Sequence, residues 1–61
     1  MGWITLEDAV VVLTRDAAVK VDVRGSEHWI PRSQIMDGDM LEEGDDEIVI
    51  SEWIAKTKEI A

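Results

Sequence analysis

From Ala17 to Arg24 the chain alternates without a break. Ala17, Val19, Val21 and Val23 fall on one face, and Ala18, Lys20, Asp22 and Arg24 on the other. A period of two suits a strand with one face buried and one face in water. A helix of the same residues would spread its valines around the axis. The chain must therefore hold an antiparallel sheet with its core on one side.

The flanking segments extend that sheet. Residues 5–14 include the apolar run Val10-Val11-Val12-Leu13, apolar on both faces as a central strand would be. A helix from Leu6 to Val12 is the alternative, and three consecutive valines oppose it. Arg15-Asp16 turns the chain, so the two runs form a hairpin. Gly25-Ser26 breaks the second run and can supply a positive φ. Glu27 to Ile30 reads as a third strand, ended by Pro31, which cannot donate to a ladder. Residues 31–35 read as one helical or 3₁₀ turn, with proline at its start. Glu47 to Ile50 reads as a fourth strand, Ile48 and Ile50 facing one way. Ser51 is placed to cap a helix over 52–60. Glu52 near its start and Lys56 and Lys58 near its end suit the helix dipole. Trp53, Ile54, Thr57 and Ile60 would share its inner face. Trp29 and Trp53 are expected in the core. The expected fold is mainly β: one domain over 1–61, a small four-stranded antiparallel sheet or small barrel with a C-terminal helix.

Sixty-one residues make a thin core. Such a chain buries about 60% of its unfolded surface and nets only about 3–5 kcal/mol of stability. Cysteine is absent, which excludes disulfides and fits a reducing, cytoplasmic setting. A single histidine makes a structural zinc site untenable, and no cofactor is expected. A homodimer is one remaining route to added stability. The apolar run at 9–13 is far too short for a membrane span or a signal segment.

Seven of the eleven residues from 37 to 47 are acidic and none is basic, in a chain of net charge −8. Asp37, Asp39, Glu42, Glu43, Asp45, Asp46 and Glu47 are the candidate binding residues, with Trp3 and Met40 as apolar anchors. One reading is a phosphate mimic that docks on a groove rich in Lys and Arg; the other is a solvated, solubilising loop. Calcium-loop spacing fails: from Asp37 the position that needs Gly is Glu42, and from Asp39 the twelfth residue is Ile50. Membranes and nucleic acids are disfavoured as direct partners, because both attract cations. Catalysis is not expected either. His28 has no activated nucleophile in context, and Asp22 with Glu27 is a carboxylate pairing that chance supplies in so acidic a chain. Lys20, Arg24 and Arg32 offer the alternative of a basic nucleic-acid-binding or regulatory patch. Trp3 reads equally as an exposed anchor and as a residue docked against its own helix.

The stretch Glu27-His28-Trp29-Ile30-Pro31-Arg32-Ser33-Gln34-Ile35 resembles the strand, proline, 3₁₀ turn and strand near the end of SH3 domains. The resemblance covers about nine residues and implies an SH3-like barrel. The aromatic and acidic motif that SH3 domains use for proline-rich ligands is missing. Residues 9–54 are also similar in layout to small phage and mobile-element proteins. Those carry a valine-rich hairpin, a Trp-Ile-Pro-basic-Ser-Gln-Ile element, an acidic linker and a closing strand ending in Glu-Trp-Ile. This resemblance implies a viral origin and an inhibitor of the anti-CRISPR or counter-defence type. Its partner would be a basic host protein, a CRISPR effector complex foremost. A dimeric assembly protein is the remaining alternative.

Overall fold

The computed structural model describes residues 2–60. They form two small antiparallel sheets around one core, closed by a short helix. The first sheet pairs β1 (Trp3–Thr5) with β5 (Val49–Ser51). The second is a meander of β2 (Ala9–Thr14), β3 (Ala18–Val23) and β4 (Ser26–Pro31). The expected class is present: mainly β, in two antiparallel sheets, with one C-terminal helix. There are five strands instead of four, because Trp3–Thr5 pairs as a strand of its own ahead of the apolar run, which stays whole in β2. Leu6 turns into the core and Asp8 adopts a left-handed conformation (φ 54°), which separates β1 from β2.

Alternation along β3 is realised, with Val19, Val21 and Val23 buried and Lys20 and Asp22 facing outward. Ala17 lies outside the strand and is exposed. The β3–β4 turn falls one residue earlier than expected, on Arg24-Gly25. Both have positive φ, 51° and 90°, the two-residue geometry that matches strand twist. The Asp22 side chain accepts from Gly25 N at 2.8 Å, which offsets the strain at Arg24. A bulge between Val11 and Leu13 bends β2 over the core.

After Pro31 comes the 3₁₀ turn Arg32–Gln34, then a single bridge from Ile35 to Ile50. Strand β5 thus lies between β1 and the Ile35-Met36 segment. Met36 N donates to the Val49 carbonyl at 2.8 Å. Ile48 and Ile50 both reach the core and are fully buried, as their spacing implied.

Helix α1 spans Glu52–Thr57 and is three residues shorter than expected. Ser51 caps it: its hydroxyl accepts from Ile54 N at 3.2 Å and donates to Gln34 Oε1 at 2.6 Å. The buried face is Ile54 and Ala55; Trp53 and Thr57 are exposed. The helix stops because Glu59 turns left-handed (φ 54°). Glu59 N then bonds the Lys56 carbonyl and Ile60 N the Ala55 carbonyl, which returns Ile60 to the core. A left-handed glutamate costs about 1 kcal/mol relative to glycine. Glu59→Gly is therefore expected to raise stability by about 1 kcal/mol in urea titration; an unchanged or lower midpoint would contradict this account of the helix end.

Two tryptophans are corrected. Trp29 is 39% and Trp53 54% exposed, so neither is a core residue. Along β4 the inward parity belongs to His28 and Ile30, whose cross-strand partners are Val21 and Val19. Trp29 must then point outward, opposite Lys20. Trp53 follows the cap on the solvent side, because Ile54 and Ala55 take the inner positions.

Candidate acidic surface

The acidic segment is not a free loop. Its first part is a second 3₁₀ turn, Gly38–Met40, entered through Asp37 in a left-handed conformation. Its last part lies along the outer edge of β2. Val11 N donates to the Asp45 carbonyl and Gly44 N donates to the Val11 carbonyl, both at 2.8 Å. The Asp45 carboxylate accepts from Glu42 N at 2.9 Å and closes the turn between them. That segment covers a strand edge that would otherwise present unpaired amides and carbonyls. Leu41 packs against the core, and Ile48 enters it just beyond the segment's end.

Arg32 ties the segment to the β2–β3 turn. Its Nη1 donates to the Gly38 carbonyl at 2.6 Å and more weakly to the Leu41 carbonyl at 3.4 Å. Its Nε donates to the Arg15 carbonyl at 2.9 Å. One guanidinium thus joins the β2–β3 turn to both ends of the Gly38–Met40 turn. Gly38 is buried at this junction. A Cβ on Gly38 would collide with the Arg32 carbonyl, so the close approach requires glycine. Gly44 (φ 95°) serves the turn at the β2 edge.

Held this way, the carboxylates face water in two groups. Asp37 and Asp39 line an open groove of about 720 Å³ together with Asp16, Ser33, Arg32 and Met40. Met40 is 77% exposed, an apolar side chain among three carboxylates. Glu42, Glu43, Asp46 and Glu47 are exposed and Asp45 is half-buried on the β2 side. Asp16 was not singled out from the sequence. Its only signal there was its place in the β2–β3 turn, which Arg32 brings beside Asp37. Trp3 is 48% exposed but does not join the groove. It pairs with Ser51, four residues beyond Glu47 and roughly 13 Å along the strand.

Lys20, Arg24 and Arg32 do not form one patch. Arg24 sits in the β3–β4 turn and Arg32 beyond the far end of β4, roughly 20 Å apart for a strand of this length. Arg32 is committed to carbonyls. Lys20 pairs with Glu27 at 3.5 Å and lies over the Trp29 ring, 5.5 Å from its centroid. Arg15 lies over the same ring at 5.9 Å.

Among the described residues, no group of three or more His, Cys, Asp or Glu side chains converges as a metal set would. Among the described residues, no helix is long and apolar enough to cross a membrane. No protein-family model, curated protein or solved structure matches the chain.

Proposed function

We propose that the chain is a protein-binding inhibitor, with no reaction of its own, that occupies a basic phosphate-binding surface on a partner. The partner class is a nucleic-acid-handling host defence complex, with a CRISPR effector as the specific candidate. Asp37, Asp39, Glu42, Glu43, Asp45, Asp46 and Glu47 would meet the lysines and arginines that otherwise hold phosphates. The observation that carries this reading is the pinning of the acidic segment. Arg32 and the β2 edge hold its backbone while most of its carboxylates point to solvent. Covering the β2 edge accounts for the hold on Gly44 and Asp45, but not for the tie of Arg32 to Gly38 and Leu41. A binding surface gains from one fixed shape, because less entropy is lost on docking. Met40, beside Asp37 and Asp39, adds an apolar contact to a surface that charge alone would leave weak.

Electrostatic steering predicts a kinetic signature. Asp37→Lys, Asp39→Lys and Glu43→Lys together are expected to slow association with an immobilised, guide-loaded effector complex by about 10- to 100-fold at low salt. The same triple variant is expected to lose most of the salt dependence of that rate. Equal rates for parent and variant would reduce the segment to a solvated face.

A further inference from the structure

Strand β4 is an open edge with a self-complementary face, and we infer that two copies of the chain pair through it. Antiparallel pairing makes alternate residues point their amides and carbonyls to opposite sides. The two-residue Arg24-Gly25 turn makes Val23 and Ser26 a hydrogen-bonded pair, so the even-numbered residues of β4 bond to β3. Arg32 N, donating to the Ala17 carbonyl at 2.9 Å, confirms that parity just past the strand's end. The main-chain groups of Glu27 and Trp29 therefore point away from the sheet. Among the described residues no backbone group meets them.

A second β4, run antiparallel about a two-fold axis at His28, places Glu27 opposite Trp29 of the other copy, twice. Both residues carry outward-facing groups, so this register forms four main-chain hydrogen bonds. Its symmetry is closed, as an isologous dimer requires. The side chains agree with the register. Within one copy Glu27 lies directly opposite Asp22, a like-charge pair, and only Lys20 answers it. In the dimer Glu27 gains the other copy's Trp29, whose ring carries Lys20 and Arg15. The acidic turn from Glu42 to Asp45 sits on the β2 edge, the opposite side of the sheet from β4. That part of the negative charge is thus carried to the far ends of the six-stranded sheet. This inference stands apart from the proposed inhibition, because it uses none of the acidic segment's side chains.

Sedimentation equilibrium over a micromolar-to-millimolar series, paired with amide hydrogen exchange, tests it. The expected result is a shift toward twice 6.9 kDa, with the Glu27 and Trp29 amides gaining protection as the dimer fills. Glu27→Pro removes an outward-facing donor that an edge strand can spare, and is expected to weaken the dimer by about tenfold or more. Glu27→Lys is expected to weaken it as well, and adding Lys20→Glu to restore it. A monomer throughout the series would overturn the inference. So would a dimer in which the Glu27 and Trp29 amides exchange as fast as in dilute protein, since that dimer would use another face.

Discussion

Arg32→Met is expected to lose about 3 kcal/mol of stability, because one side chain carries charge-assisted bonds to the carbonyls of Gly38, Leu41 and Arg15. Methionine keeps much of the aliphatic stem and removes the donors, so the effect isolates hydrogen bonding from packing. In a domain with about 3–5 kcal/mol in hand, about 0–2 kcal/mol would then remain, leaving from a few per cent to about half of the molecules unfolded at room temperature. The loss has a local signature. The Gly38 and Leu41 region should become accessible to protease before the β2–β3–β4 meander opens. Urea titration and limited proteolysis read the two effects separately. A variant as stable and as resistant as the parent would remove Arg32 from its place as the tie between the β2–β3 turn and the acidic segment. Gly38→Ala gives an independent check. Its Cβ would press on the Arg32 carbonyl, and an overpacking cost of about 1–3 kcal/mol is expected.

Ile50→Ala is expected to remove most or all of the protein's stability. Ile50 is fully buried, pairs across the first sheet with Ile4, and bridges on its other side to Ile35. Truncating a buried isoleucine costs about 2–5 kcal/mol, the transfer term plus the cavity. That is comparable to the about 3–5 kcal/mol that so small a core supplies. Circular dichroism should show loss of the whole fold with no separate early step, in contrast with Arg32→Met. Retention of a cooperative, near-parental unfolding transition would mean that the two sheets do not depend on this residue to close on each other.

Much of this architecture was legible because its signals are local. Val19, Val21 and Val23 carry their period within one strand. Ser51 precedes its helix by one residue, and Pro31 marks the end of β4 and the start of the 3₁₀ turn. What escaped reading depends on distant partners. Pairing of Trp3–Thr5 with Val49–Ser51 joins the two ends of the chain, and no short window contains it. The Trp29 error was avoidable: Ile30 shares the inward parity of Val19 across the ladder, so its neighbour had to face out. Residue bulk outweighed alternation in that expectation, and alternation is the stronger constraint in a six-residue strand. Of the candidate surface, the carboxylates and Met40 were visible from composition alone. Their fixed placement was not. It rests on a guanidinium meeting main-chain carbonyls six and nine residues onward, and on Val11, whose amide donates to the Asp45 carbonyl and whose carbonyl accepts from Gly44 N. Carbonyl acceptors leave no trace in residue identity.

The pinned segment changes what the negative charge can do. A flexible acidic tract attracts any basic surface weakly. Carboxylates on a held backbone can select one arrangement of cations over another, because mismatched charges would be desolvated without partners. The most direct measurement is displacement of labelled duplex DNA from a guide-loaded CRISPR effector, followed by fluorescence anisotropy as the protein is titrated in. The expected result is release of the DNA by the parent, with the Asp37, Asp39 and Glu43 reversal needing about 100-fold more protein for the same effect. DNA that stays bound in the presence of the parent, or equal release by the reversed variant, would contradict the assignment of the acidic segment as a phosphate-mimicking surface.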